Sequence, residues 1–297
     1  MNMARYMTGF LVVFTGSFLN IFPAWCGDSP IQTAVSIAPQ KYFVEKIGGS
    51  HVTVTVMVPP GAEPHTYEPK PREVLALSRA QIYFTVGAPF ESAWLPRFYA
   101  VNTKLSIVHT EANVPKISMT DEKHHEQSHA KYPESGMDIH IWLSPPLVKI
   151  QALSILEGLE KIDPAHSSEY QANYSRFAAE IDSLDAYLKS LFSGIGKKKN
   201  FLVFHPAWSY FARAYGLKEI PIEIAGKEPK PSELVNLIKQ ARKQEITVVF
   251  VQPQFSSRTA KIIADAIHGH MVKADSMAEN WADNIRSVAD EFKTAVR

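Results

Sequence analysis

Apolar and polar positions change rhythm along this chain in a repeating order. Residues 31–37 form a mostly apolar run that predicts a buried strand, and Pro39 opens a helix to Ile47 that ends at Gly48-Gly49. Residues 51–58 alternate in the β-branched manner of a second strand, stopped by Pro59-Pro60-Gly61. A helix over 71–79, a strand over 82–86 and a short helix over 90–98 follow. Strand and helix in alternation imply a parallel sheet covered on both faces.

The rhythm then breaks. Residues 119–136, containing TDEKHHEQSHAKYPESG with His124, His125 and His129, have no apolar period and read as a His-rich mobile loop. Periodicity resumes after Pro146 in a helix to about Leu159. Asp163, placed to cap, and Pro164 open the longest helical pattern of the chain. Its stripe is Tyr170, Tyr174, Phe177, Ile181, Leu184, Leu188 and Leu191, and Gly194 and Gly196 end it. Some thirty residues at about 1.5 Å each make a rod of ~45 Å. Beyond Lys199 the alternation restarts. Strands are predicted over 201–204, 247–251 and 271–273, and helices over 207–215, 232–243, 259–268 and 279–296. The expected fold is α/β: two domains, each a mostly parallel sheet flanked by helices, joined by one long rigid linker helix. The boundaries read as 27–162, 163–193 and 194–297, with a core in each half.

The first 26 residues stand apart as a leader. An apolar run from Phe10 to Phe22 follows Arg5 and is shorter than a membrane span of ~20 apolar residues. Ala24-Trp25-Cys26-Gly27 places small residues where a signal peptidase would cut after Cys26. Lipid attachment at Cys26 is the rival, and Trp25 just before the cysteine argues against it. The expectation is an exported periplasmic protein without an anchor. Cys26 is the only cysteine in 297 residues, so the mature chain has neither an internal disulfide nor a thiolate for metal. A net charge of +1 gives no basic excess for nucleic acid, and a monomer is expected.

Four side chains beside turns or helix starts carry the candidate chemistry. His65 lies in PPGAEPH, where flanking prolines limit backbone freedom. His140 sits in DIHIW, His205 follows the strand FLVF, and Asp275 follows the strand ending at Lys273. Each has a plain reading on its own: a turn histidine, a core histidine, a polar strand end, a helix N-cap. Together, three imidazoles and a carboxylate fill a tetrahedral zinc sphere. They would meet in a cleft between the halves, a favoured small-ligand location. Glu63 could orient an imidazole or add an oxygen ligand, or simply be solvated. The loop histidines could pass zinc inward or bind nothing.

GAEPHTYEPKP, DIHIWLSP, FHPAWSYFARAYGL, KEPKPSELVNLI and FVQPQFS resemble segments of the solute-binding proteins of zinc and manganese ABC importers. The likeness runs from about Ile31 to the C-terminus. It implies two α/β domains on a rigid helix, little hinge motion, and His65, His140, His205 and Asp275 as metal ligands. It also implies Zn2+ as the transported ion, an ABC-transporter membrane permease as partner, and no enzymatic activity. Manganese-type members carry Glu at the third position, and His205 here points to zinc. Gln252 stands where many relatives have an acidic residue, and Ser276-Met277 replaces a proline-containing turn. A manganese- or iron-specific member of the same family is the nearest alternative. A zinc hydrolase would need an open coordination site and a nearby general base. An adhesin holding metal only for structure is a third reading. With three histidines to deprotonate, affinity is expected to fall as pH drops through about 6.5.

Overall fold

Short, nearly all-apolar strands such as IYFT and VVFV can only sit in the middle of a sheet covered on both faces, and that is where the chain puts them. A computed structural model describes residues 29–118, 136–196, 199–224 and 226–296. The leader expected over 1–26 and the loop residues His124, His125 and His129 lie outside the described residues.

The first sheet runs β2-β1-β3-β4, with β1 at Ile31–Val35, β2 at Val52–Val56, β3 at Ile82–Thr85 and β4 at Ser106–His109. All three pairings are parallel, in registers such as Val35↔Val56 and Thr33↔Ile82. The second repeats the plan as β6-β5-β7-β8, from Asn200–Val203 (β5), Lys218–Pro221 (β6), Val248–Val251 (β7) and His270–Lys273 (β8), again all parallel. In each sheet the strand order reverses beside the first strand, between β1 and β3 and between β5 and β7. The crevice beyond the carboxyl ends of such strands is where open α/β sheets bind ligands.

Helices α1 (Ala38–Gly48), α2 (Pro71–Leu77), α3 (Pro89–Val101) and α4 (Pro145–Ile162) cover the first sheet, and α6 (Ser209–Tyr215), α7 (Pro231–Lys243), α8 (Arg258–Ala266) and α9 (Trp281–Ala295) belong to the second half. Between them runs α5, Ser167–Phe192, a rod of ~39 Å by its rise of about 1.5 Å per residue. It starts later than the sequence suggests, after a 3-10 turn at Pro164–His166. Asp163 does not cap the helix. Its Oδ2 instead accepts the Tyr170 hydroxyl at 2.6 Å and His166 Nδ1 at 2.7 Å.

The expectation of a separate core in each half is corrected. One apolar cluster runs from Phe43 and Phe84 through Phe177 and Leu188 of α5 to Phe201, Phe250 and Phe292 on the inner side of the second sheet. Only the outer face of that sheet, with Leu202, Ile220, Val249 and Ile263, forms a cluster of its own. At the seam the Trp281 ring meets Phe43 edge-on at 5.2 Å, and Phe177 lies 5.9 Å from Phe43. Continuous close packing of this kind resists hinge opening, because separating the halves would expose aromatic surface.

Candidate metal centre

His205 stands at the reversal point of the second sheet, two residues past the end of β5. Gln252, directly after β7, clasps it: His205 N donates to Gln252 Oε1 at 3.2 Å, and Gln252 Nε2 donates to His205 O at 2.6 Å. The absent acidic charge at this position is thus replaced by an amide that both donates and accepts. His140 sits between the bridge Ser118↔Met137 and a 3-10 turn at Ile141–Leu143. His65 lies in the proline-rich turn after β2, where Ala62 N donates to Pro59 O and Gly61 takes φ +81°.

The structure brings these three imidazoles together. His65 Nε2 lies 3.4 Å and His205 Nε2 3.3 Å from His140 Nε2, and one ligand nitrogen from each ring falls within 4.8 Å of the others. A tetrahedral zinc with bonds of about 2.05 Å sets neighbouring donors ~3.3 Å apart. Both short separations fit that geometry.

Carboxylates fix two of the rings. Asp138 Oδ1 accepts His140 Nδ1 at 2.7 Å, and Glu223 Oε1 accepts His205 Nδ1 at 2.7 Å. A carboxylate oxygen accepts, so each Nδ1 carries the proton and each Nε2 presents a lone pair to the shared space. Phe255 stacks on the His205 ring at 4.7 Å. His65 is the open side: 20% of its side chain is exposed, against 2% for His140 and 7% for His205. Burial, with the two neighbouring imidazoles, pushes its pKa down to about 2. Its ring therefore needs no deprotonation near neutrality, which weakens the expected loss of affinity around pH 6.5 as far as His65 contributes.

Asp275 is not drawn into this group. Its Oδ1 accepts Met277 N at 3.0 Å and Gln254 Nε2 at 3.3 Å, and its Oδ2 lies 3.7 Å from Lys273 Nζ. Nor does it cap α9, which begins at Trp281. Glu63 is better placed than the sequence suggests. Its Oε1 lies 3.9 Å from His65 Nε2, the nitrogen that faces the other rings, while Oε2 accepts Thr66 N at 3.1 Å. Glu223 and Phe255 escape sequence reasoning. Each comes from a different strand end of the second half, and no spacing links either to His205.

Residues 34–295 match the family described as zinc-uptake complex component A, periplasmic (ZnuA). The high-affinity zinc uptake system protein ZnuA of Bacillus subtilis is 26% identical over 86% of this chain and 84% of its own. The iron-binding protein YfeA of Yersinia pestis is 30% identical over 80% of this chain and 75% of its own. A crystal structure of ZnuA superposes with a TM-score of 0.83 at 39% identity, covering 91% of this chain and 100% of that one.

Proposed function

We propose that this chain, which belongs to the zinc-uptake component A family of ABC-transporter solute-binding proteins, captures Zn2+ outside the cytoplasm and delivers it to its permease. Proteins of this family bind a metal ion and work with a membrane permease; they are transport components, not enzymes. The convergence of three Nε2 atoms at zinc-like spacing carries the reading. Neutral imidazole suits zinc better than manganese, which prefers more carboxylate oxygen. An iron or manganese cargo is the second reading, and the likeness to the iron-binding protein YfeA favours iron.

His65, His140 and His205 are the nitrogen ligands of this proposal, and an oxygen completes the sphere. Asp275, the fourth ligand read from the sequence, has its Oδ1 taken by Met277 N–H and Gln254, so only Oδ2, which lies 3.7 Å from Lys273 Nζ, is open to a metal. Glu63 already faces the metal side of His65, so the geometry favours Glu63. A filled sphere without thiolate holds the ion while leaving it exchangeable, which suits carriage rather than hydrolysis. Export by the leader over 1–26 agrees with the periplasmic family. Among the described residues no helix is long and apolar enough to cross a membrane.

Zinc titration of the purified mature chain tests this. The wild type is expected to bind one ion tightly, and His205→Ala to lose at least tenfold in affinity. Glu63→Ala is expected to weaken zinc more than Asp275→Ala. Equal zinc affinity in wild type and His205→Ala would remove the proposed site. A larger loss in Asp275→Ala than in Glu63→Ala would return the fourth place to Asp275.

A further inference from the structure

His140 belongs to the first half by chain order, yet the carboxylate that orients it is gripped from the second half. Asp138, which orients it, is almost fully buried, and both of its carboxylate oxygens are engaged. Oδ1 accepts His140 Nδ1 at 2.7 Å and His140 N at 2.9 Å. Oδ2 accepts the hydroxyl of Ser209, the first residue of α6. The neighbouring Tyr210 hydroxyl donates to Asp138 O at 3.0 Å and accepts Ile117 N at 3.1 Å, so it ties Asp138 to Ile117. On the far side of His140, Trp142 Nε1 donates to Ser276 O and Trp281 Nε1 donates to Trp142 O, both at 2.6 Å.

We propose that Ser209 and Tyr210 are positioning residues for metal binding: from the second half they clamp Asp138 and, through it, aim the His140 ring at His205. The inference rests on reading the three rings as a metal site. The physical reason is rotational. Asp138 held only through Oδ1 can turn about its own side-chain bonds and carry His140 with it. A second bond at Oδ2 removes that freedom. Helix α6 follows the loop that begins with His205, so His140 and His205 take their positions from one frame. Their 3.3 Å separation is kept as a unit even if the halves shift. His65, held by its own turn and with no carboxylate on its Nδ1 among the described residues, is then the ligand whose position varies independently.

Cobalt(II) is the probe, because zinc has a filled d shell and no visible spectrum, whereas cobalt absorption reports ligand geometry. In Ser209→Ala, cobalt affinity is expected to fall ten- to a hundredfold with an altered visible spectrum, and Ser209→Thr restores both to within a few-fold. Tyr210→Phe, which keeps the ring and removes only the hydroxyl, shifts both readouts in the same direction. The melting temperature of each metal-free variant is measured alongside, since a merely structural contact would lower it without changing the spectrum of the loaded protein. Unchanged affinity and spectrum in Ser209→Ala and Tyr210→Phe, while His205→Ala abolishes cobalt binding, would overturn the clamp and leave the site standing. Cobalt binding by His205→Ala at wild-type strength would instead overturn the site and the clamp with it. Failure of both clamp variants to fold would assign these residues to structure and also end the proposal.

Discussion

Gln252 illustrates how much one functional group can decide beside a metal ligand. Its amide accepts His205 N–H and donates to His205 O, a pairing a carboxylate cannot make because it has no hydrogen to give. Gln252→Glu therefore leaves the His205 carbonyl facing an oxygen in a buried place, at a cost of about 1–3 kcal/mol. Urea unfolding of the metal-free variant at pH 7 is expected to show that loss, with part of it recovered at pH 5 as the new carboxyl gains a proton and can donate again. Equal stability of variant and wild type at pH 7 would mean the clasp contributes nothing. The same residue marks what sequence can reveal at this scale. Histidine beside a turn is a rare enough ligand type to be noticed, so His65, His140 and His205 could be singled out. Their partners could not. Asp138 stands two residues from His140, but Glu223 and Phe255 reach His205 only because parallel strands bring separate chain segments to one edge. Asp275 stands out in the sequence only by its place after a strand, as His205 does. Nothing in its spacing reveals that Met277 N–H and Gln254 hold its carboxylate.

At the scale of elements, long periodic segments were legible, as were the edge strands β2 and β8, whereas the edge strands β4 and β6 were not. The stripe of α5 and the buried β1, β3 and β7 follow from apolar period alone. The edge strands β4, Ser106–His109, and β6, Lys218–Pro221, have four residues each and little apolar character, so no alternation announces them. Their existence follows from neighbours, since β3 and β5 would otherwise leave unpaired backbone. Helix α4 shows the converse, a fit set by the sheet rather than by helix propensity. Gly158 lies inside its C-terminal half, where alanine would ordinarily gain about 1 kcal/mol. A Cβ there would stand 2.9 Å from Val108 Cγ2, 3.0 Å from Phe84 Cε1 and 3.2 Å from Ile82 Cδ1. Ile82 and Phe84 are fully buried and cannot step aside, so overpacking of about 1–3 kcal/mol outweighs the propensity gain. Gly158→Ala is expected to lower the denaturation midpoint of the metal-free protein. A raised midpoint would show that the edge at Val108 yields.

For the whole molecule, each half carries a carboxyl, buried Glu91 in the first and half-buried Glu219 in the second, whose protonation ties stability to pH. In the first, Glu91 lies at the carboxyl edge of the sheet and accepts Val86 N, Gly87 N and the Ser36 hydroxyl. Burial nevertheless outweighs these donors and pushes its pKa up to about 8. In the second, Glu219 accepts Trp208 N, and burial raises it to about 8 as well. An unfolded glutamate ionises near pH 4.3. Between those values the folded protein holds two protons that the unfolded chain has lost, so stability falls as pH rises through that window. His65 works the other way, its pKa being about 2 when folded and about 6.5 when free. Its contribution is complete above pH 6.5 and is lost only as pH falls below it. From pH 6.5 to 8 the histidine is therefore silent and the carboxyls govern. With metal removed by chelator, the melting temperature is expected to decline from pH 6.5 to 8.5, and Glu91→Gln with Glu219→Gln to flatten that decline. A melting temperature that rises or stays level over this interval in the wild type would contradict the assignment. Since bound zinc stabilises the folded state by mass action, the same scan with saturating zinc is expected to lie higher throughout.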